Sequence, residues 1–279
     1  GAVSTAALLA QAVQSLRAVG NENAAGDARI LLAAALGVER AQLISAMDRT
    51  LNAEQAALFA EMIDARCQHK PVSQILGWRE FYGRRFSVSA DVLDPRPDSE
   101  TLIDVALSRP FQRVLDLGTG SGALIITLLA ERVQATGLAV DLSPAALAIA
   151  EKNAVLLGVS GRLTYQLSDW LTAVDGQYDL IICNPPYIGH DDWSQLSPDV
   201  RLHEPKMALT PGVDGLAVYR ALAGQMLHYL NPNGRVVFEI GYDQGPDVVE
   251  ILKRAGWAKP ELIKDLNGHD RVVAAEKPR

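Results

Sequence analysis

Strand-like and helix-like stretches alternate along most of the chain, and this alternation limits the possible folds more than any other feature. Seven stretches have strand character: residues 113–117, 137–140, 162–167, 178–183, 235–240, 258–263 and 271–276. Helical patterns separate most of them, at residues 123–130, 144–157, 215–230 and 244–255. Such alternation implies a mostly parallel sheet covered by helices on both faces. We therefore predict an α/β fold with a mostly parallel, seven-stranded sheet.

Helical spacing dominates the first seventy residues. Apolar side chains recur there three or four positions apart, at Leu8, Leu9, Ala12, Leu16 and Val19. We predict a small N-terminal helical bundle over residues 1–70, with one helix at 52–68. Short alternating runs in residues 71–94 predict a β-hairpin linker. The strand–helix domain then covers residues 95–279.

The charge and the cysteine content exclude several classes of protein. The net charge is −7 and the pI is near 5.3, which argues against tight nonspecific binding of nucleic acid. The two cysteines, Cys67 and Cys183, provide no zinc site, and the five histidines lack paired ligand spacing. No apolar run approaches the ~20 residues of a membrane span and no signal peptide is visible. A cytoplasmic protein without a metal is expected.

The first strand of the alternating region ends in a glycine-rich turn. Residues 116–122 have the pattern D-x-G-x-G-x-G, with glycines that let the backbone turn sharply and approach a ligand closely. This is not the G-x-G-x-x-G of dinucleotide folds. The second strand ends at Asp141, 25 positions after Asp116. A carboxylate at that place commonly binds the ribose hydroxyls of a nucleoside.

The sequence Asn-Pro-Pro-Tyr at residues 184–187 follows an apolar strand. Asn184 supplies a side-chain carbonyl, and the two prolines stiffen an extended path that leaves the Pro185 carbonyl free. Two acceptors of this kind can hold both hydrogens of an NH2 group, and Tyr187 offers an aromatic face beside them. The alternative is that the prolines merely end a buried strand, since N-P is also an ordinary turn signal.

Together these motifs resemble S-adenosylmethionine-dependent methyltransferases, with residues 116–122 as motif I and 184–187 as motif IV. The chain is most similar to the PrmC/HemK family of protein-(glutamine-N5) methyltransferases, which modify peptide chain release factors. The likeness runs from about residue 71 to the C-terminus and includes residues 81–83, 95–100, 168–170, 203–205, 214–216, 239–241 and 270–273. The first seventy residues match in type, as a small helical domain. Asp94 departs from the family pattern, which usually has an apolar residue there.

The resemblance implies a Rossmann-like class I methyltransferase domain over residues 95–279, with S-adenosylmethionine as donor and S-adenosylhomocysteine as product. It implies these cofactor-binding residues: Gly118, Thr119, Gly120, Ser121, Gly122, Asp141, Asp169, Trp170 and Asn184. The turn would hold the methionine part, Asp141 the ribose, and Asp169 and Trp170 the adenine. The catalytic residues would be Asn184, Pro185, Pro186 and Tyr187, which orient a glutamine amide as the methyl acceptor.

Several roles stay open at this point. Asp141 could be a turn former and Trp170 a core anchor. Proton loss can follow methyl transfer, so we assign no general base, and His203, Glu204 and Glu239 are better explained as structural. Arg96, Asp98 and Glu100 either line the site or form a surface turn.

The resemblance implies a monomer whose partner is a class 1 release factor. The N-terminal bundle would recognise it and present the glutamine of its Gly-Gly-Gln motif, or would only stabilise the fold. A ribosomal-protein glutamine methyltransferase and an N6-adenine methyltransferase are the alternatives; the latter must flip its base and grip phosphates, which the acidic pI disfavours. A non-enzymatic adaptor conflicts with two intact motifs.

Overall fold

A computed structural model describes residues 3–185 and 215–279, and these residues divide into two compact units. The first unit ends at Gly77 and the second begins at Trp78. The first is helical, as predicted. Its helices are α1 (Thr5–Ala18), α2 (Ala24–Leu36), α3 (Leu43–Ala46), α4 (Ala53–Cys67) and α5 (Val72–Leu76).

Local sequence signals set the ends of these helices. Asn52 caps α4 reciprocally with Gln55: its side chain accepts from the Gln55 N–H at 2.8 Å, and the Gln55 side chain accepts from the Asn52 N–H at 3.1 Å. Gly37 ends α2 in the left-handed conformation, with φ 71°. The apolar stripes then meet in a core that includes Leu16 and Phe59.

The second unit begins with a two-stranded antiparallel hairpin and continues with strands and helices in alternation. Its strands are β1 (Trp78–Phe81), β2 (Arg84–Ser87), β3 (Arg113–Leu117), β4 (Thr136–Asp141), β5 (Leu163–Leu167), β6 (Tyr178–Cys183), β7 (Leu230–Glu239), β8 (Ala258–Lys264) and β9 (Asp270–Glu276). Its described helices are α6 (Glu100–Leu107), α7 (Ala123–Glu131), α8 (Pro144–Leu156), α9 (Ala217–Ala223) and α10 (Gly245–Arg254).

Strands β3 to β9 form one seven-stranded sheet in the order β5-β4-β3-β6-β7-β9-β8. All neighbours from β5 to β7 are parallel, and β9 is antiparallel to both β7 and β8. Successive strand residues point to opposite faces, so Leu180 and Ile182 pack on the side of α6 and α7, whereas Ile181 packs on the side of α9 and α10. The predicted fold class and seven-stranded sheet are confirmed.

Three details differ from the sequence prediction. Residues 72–76, which we expected in the hairpin linker, form helix α5, because Gly77 with φ 78° ends a helical turn before the first strand. Helix α6 was not predicted, although its Leu102, Ile103 and Ala106 are fully buried. The helix predicted at 215–230 is shorter, and β7 starts at Leu230 rather than at residue 235, since Leu230 pairs with Tyr178 before a register shift.

Candidate active site

A cavity of about 300 Å³ opens beyond the carboxyl ends of β3, β4, β5 and β6. In a parallel sheet, this edge is where ligands are expected. The lining residues come from the turns that follow the four strands, from the segment before α6, and from α7, α8 and α9. They are Asp91, Val92, Leu93, Asp94, Pro95, Ser99, Gly118, Thr119, Gly120, Ser121, Ala123, Leu124, Val140, Asp141, Leu142, Ser143, Ala146, Ser168, Asp169, Trp170, Asn184 and Val218.

The glycine-rich turn after β3 lines the cavity with Gly118, Thr119, Gly120 and Ser121. The N–H groups of Gly118 and Thr119 both donate to the Val140 carbonyl, at 2.9 and 2.8 Å. Gly122 is not among the lining residues. It has φ 82°, and a Cβ there would lie 2.7 Å from the Ile126 side chain, so only glycine allows α7 to start at this point.

Asp116 lies beneath the turn and stabilises it. Its side chain is completely buried and accepts a hydrogen bond from the Thr119 hydroxyl at 2.8 Å. Burial raises the pKa of Asp116 to about 7, and the Thr119 hydrogen bond acts in the opposite direction. Burial likewise raises the pKa of the Cys183 thiol well above its usual value. Neither residue lines the cavity, and Asp116 supports the turn through its bond to Thr119.

Asp141, at the end of β4, makes two backbone contacts. One carboxylate oxygen accepts from the Gly120 N–H and the other from the Ser143 N–H, both at 2.9 Å. The second contact is the turn-forming role that was the alternative for this residue. Asp141 nevertheless lines the cavity. Each carboxylate oxygen has a further lone pair, so these contacts leave it able to accept from a ligand.

Asp169 and Trp170 follow β5 and both line the cavity. Asp169 is exposed, whereas Trp170 is half-buried and packs against the core between the sheet and α9. The Ser168 hydroxyl donates to the Trp170 carbonyl at 2.8 Å, and Trp170 has φ 51°, a conformation that L-residues seldom adopt. A Cβ on Gly118 would lie 3.5 Å from the Trp170 ring. The indole is therefore both a core contact and part of the cavity wall.

Asn184 directly follows β6 and lines the cavity, half-buried. Pro185 is buried and is not among the lining residues. Pro186 and Tyr187 lie outside the described residues, as do His203 and Glu204. The structure thus brings Asn184 to the same cavity as the glycine-rich turn and Asp141.

The segment before α6 forms a wall of the cavity through residues 91–95 and Ser99, which the sequence analysis did not assign to the site. The Asp94 carboxylate is buried and pairs with Arg79 of β1 at 3.3 Å. The buried Ser99 hydroxyl donates to Glu239, at the end of β7, at 2.6 Å. Burial raises the pKa of Glu239 to about 7, opposed by this hydrogen bond and by Arg271. The Pro-Arg-Pro sequence at 95–97, between two polar residues, was the available signal.

Arg96, Asp98 and Glu100 are not among the lining residues. The cavity residues from that motif are Pro95 and Ser99. Glu239 is not among the lining residues either. It accepts a hydrogen bond from Ser99, which does line the cavity, and so it supports the cavity wall.

The charge of the cavity wall is one-sided. Four carboxylates line it, from Asp91, Asp94, Asp141 and Asp169, and the described lining contains no lysine, arginine or histidine. Within residues 3–185 and 215–279, no group of three or more His, Cys, Asp or Glu side chains is placed to hold a metal ion. None of the helices in these ranges is both long and apolar enough to cross a membrane. The wall suits a ligand with positive charge and without phosphate.

Comparison with known proteins gives matches over nearly the whole chain. Residues 7–77 match the family model of the PrmC N-terminal domain, and residues 87–212 match that of the methyltransferase small domain. A release factor glutamine methyltransferase from Cereibacter sphaeroides is 50% identical over 270 residues, which are 97% of each chain. One from Caulobacter vibrioides is 40% identical and covers 94% of this chain and 92% of its own.

Solved structures resemble the fold at lower identity. The hMettl16 catalytic domain, in complex with a MAT2A 3′UTR hairpin, superposes with a TM-score of 0.60 at 16% identity, over 78% of this chain and 83% of its own. A methyltransferase from Pyrococcus furiosus has a TM-score of 0.55 at 17% identity, over 71% of this chain and 91% of its own. At these identities the likeness concerns the fold alone.

Proposed function

Because the chain belongs to the release factor glutamine methyltransferase family, we propose that it methylates a glutamine of a class 1 peptide chain release factor. The donor is S-adenosylmethionine, and the acceptor is the side-chain amide nitrogen (N5) of the glutamine in the Gly-Gly-Gln motif. The observation that carries the proposal is the shared cavity, in which Asn184 lies with the glycine-rich turn and Asp141. The modification supports translation termination.

The cavity residues fit the proposed donor in shape and charge. Residues 118–121 would hold the methionine part, Asp141 the ribose, and Asp169 and Trp170 the adenine. The volume of about 300 Å³ is that of a small-molecule site. Asp94 is paired with Arg79, and the other three lining carboxylates, from Asp91, Asp141 and Asp169, favour a cation without phosphate groups. When bound, the donor supplies a methyl group already activated by its positively charged sulfur.

Asn184 and Pro185 would orient the acceptor. An amide nitrogen is a weak nucleophile because its lone pair is delocalised into the carbonyl. The side-chain carbonyl of Asn184 and the main-chain carbonyl of Pro185 can accept the two amide N–H groups and direct the lone pair towards the methyl group. Pro186 and Tyr187 belong to this proposed acceptor site on sequence alone.

The reaction needs no strong base at the nitrogen. The methyl group passes from sulfur to the amide nitrogen, the sulfur leaves as a neutral thioether, and the nitrogen then releases one proton to solvent. Asp116 and Glu239 have pKa values raised to about 7 by burial, but neither lines the cavity. We therefore assign them to support of the site.

The first unit would recognise the release factor, and the enzyme would act as a monomer. Support comes from the match of residues 7–77 to the PrmC N-terminal domain. The domain scheme of residues 1–70, 71–94 and 95–279 remains our prediction for how recognition and chemistry are divided.

Mass spectrometry tests the proposal directly. A class 1 release factor, produced without prior methylation, is incubated with the protein and S-adenosylmethionine carrying a deuterated methyl group. We expect one labelled methyl on the glutamine of Gly-Gly-Gln, and none with the Asn184→Ala variant. Absence of label with the donor bound would reject the acceptor and redirect the search to ribosomal proteins and to adenine in nucleic acid.

A further inference from the structure

Asn153 is a fully buried amide in the third turn of α8, and it does not line the cavity. A buried amide normally costs free energy unless its hydrogen bonds are made. Here its oxygen accepts from the Ser87 N–H at 2.6 Å, and its nitrogen donates to the Ser87 carbonyl at 3.0 Å. The same nitrogen donates to the Ser121 carbonyl at 2.8 Å. One side chain therefore uses both amide hydrogens and its oxygen.

These three bonds join parts of the second unit that are distant in sequence. Ser87 is the last residue of β2, and Asn153 pairs with its N–H and C=O groups as a neighbouring strand would. Ser121 belongs to the glycine-rich turn and lines the cavity. Asn153 thus fastens the turn to α8 and, through α8, to the end of the hairpin.

The turn is held at three successive positions by three different side chains. Thr119 is bonded to Asp116, the Gly120 N–H to Asp141, and the Ser121 carbonyl to Asn153. Asp116 lies beneath the turn and Asp141 beside it, so Asn153 is the contact from the α8 side. The Ser121 carbonyl fixes the plane of the peptide that leads into Gly122, the residue before α7. A turn already fixed in its binding shape loses less conformational freedom when a ligand binds.

We propose that Asn153 is a positioning residue that sets the affinity for the methyl donor through the Ser121 carbonyl, without touching the donor. The inference rests on the proposed donor but not on the proposed acceptor. It predicts a change in donor and product binding, whereas turnover at saturating donor is retained.

Two variants and one matched control test the inference. In Asn153→Asp the shape is kept, but a carboxylate oxygen faces the carbonyls of Ser87 and Ser121 in place of the donating NH2 group. Asn153→Ser introduces no charge and carries a hydroxyl in place of the amide, and it is used if the aspartate variant folds poorly. The control is Asn231→Ala, which removes an amide that donates to Asp179 at 2.9 Å. These two residues lie at the amino ends of β7 and β6, away from the cavity at the carboxyl ends of the strands.

Calorimetric titration with S-adenosylmethionine and S-adenosylhomocysteine gives the readout, with thermal unfolding of each protein measured in parallel. We expect both ligands to bind about tenfold more weakly to Asn153→Asp, the change that corresponds to one lost hydrogen bond. Asn231→Ala should lower the melting temperature but leave both Kd values within about twofold of wild type.

Two results would overturn the inference, and they are distinguishable. If the Asn153 variants lose thermal stability but bind the donor as wild type does, Asn153 is only structural. If wild type itself binds neither ligand, the proposed donor is wrong and the inference fails with it. Failure to methylate a release factor, with donor bound, would reject only the acceptor.

Discussion

The amino ends and the carboxyl ends of the parallel strands, called here the amino edge and the carboxyl edge of the sheet, both use buried or half-buried Asp and Asn side chains to bind backbone groups. The contacts serve different purposes at the two edges. At the amino edge, the Asp179 carboxylate accepts from the N–H groups of Gln112 and Arg113, at 3.0 and 2.8 Å, and from the Asn231 amide at 2.9 Å. It thereby ties β6 to the start of β3 and to β7. At the carboxyl edge, Asp116, Asp141 and Asn153 hold one turn around an open cavity.

The pKa values of the two edges shift in opposite directions. Partial burial acts to raise the pKa of Asp179, but the hydrogen bonds from Asn231, Arg113 and Gln112 outweigh it and lower the pKa. Complete burial raises the pKa of Asp116 to about 7, since the Thr119 hydroxyl compensates only in part. At the amino edge, hydrogen bonds stabilise the ionised form of Asp179. At the carboxyl edge, Asp116 and Glu239 are buried acids whose ionised forms are destabilised, which lowers the stability of the protein as the pH rises. At this edge, the buried Asp116 supports the turn that lines the cavity.

Asn184→Ala should give the largest effect. Turnover on the glutamine acceptor should fall about 10³-fold, near 4 kcal/mol, because the acceptor loses the group that orients it. The donor Kd should stay within about twofold of wild type, since the turn and Asp141 are untouched. Single-turnover kinetics and calorimetry measure the two quantities. Wild-type turnover in this variant would remove Asn184 from the mechanism.

Glu239→Gln tests the cost of a buried acid at the carboxyl edge. The pKa of Glu239 is raised to about 7, from 4.5 in the unfolded chain. Between these values the folded protein holds a proton that the unfolded chain has released, so rising pH favours unfolding. A glutamine at this position does not titrate. The free energy of unfolding of the variant, relative to that of wild type, should therefore rise by about 3 kcal/mol from pH 4 to pH 8.

Urea unfolding at several pH values checks this. Asn231→Ala serves as a control in the upper part of this pH range, because it removes no titratable group and its partner Asp179 has a lowered pKa. Parallel stability curves for wild type and Glu239→Gln would show that folding leaves the pKa of Glu239 unchanged, which would contradict the prediction.

Substitution of Asp141 separates its two contacts. Asp141→Ala should weaken donor binding about 30-fold, near 2 kcal/mol, because it removes the ribose acceptor and the bond to Gly120. Asp141→Asn keeps one acceptor for the Ser143 N–H and should fall between alanine and wild type. Calorimetry gives the affinities. If the alanine variant binds the donor as wild type does, Asp141 acts only as a turn former.

Asp179→Asn at the amino edge should have the smallest effect. It leaves one acceptor oxygen for three donors, and we expect the free energy of unfolding to fall by about 1 kcal/mol at pH 7. Because the pKa of Asp179 is lowered, its stabilisation is lost only as the pH falls through that value. Denaturant titration checks the change, and the donor Kd should not move. A weakened donor Kd would show that the two edges are not independent.

Much of this architecture is readable from the sequence because its signals are local. The strand periodicity, the glycine-rich turn and the position of Asp141 each follow from a few neighbouring residues. The carboxyl ends of parallel strands share one edge, which predicts that Asp141, Asp169 and Asn184 face one cavity. The glycine pattern also predicts a ligand contact for Gly122, and in the structure a Cβ on that residue would meet Ile126 and Ala150.

The remaining parts depend on contacts between residues far apart in the chain. Asn153 lies 66 positions from Ser87 and 32 from Ser121, and no local pattern announces such a pairing. The Ser99–Glu239 bond spans 140 positions. Residues 91–94 carry no periodic signal and become a cavity wall through the Arg79–Asp94 pair and the packing of Val88 and Val92 against Ala146. Contacts between residues that are distant in sequence cannot be predicted from a short sequence motif.

The position of β9 has a consequence for how the protein acquires its structure during synthesis. β9 lies between β7 and β8, although it follows both along the chain. Its residues Val272 and Val273 are fully buried, and its Arg271 contacts Asp98, beside the wall of the cavity. During synthesis, one side of β7 therefore lacks its neighbouring strand, and β8 has no strand to pair with, until β9 has been made. The seven-stranded sheet is complete only after Glu276 has emerged, so the pairings of β9 with β7 and β8 should form late and together.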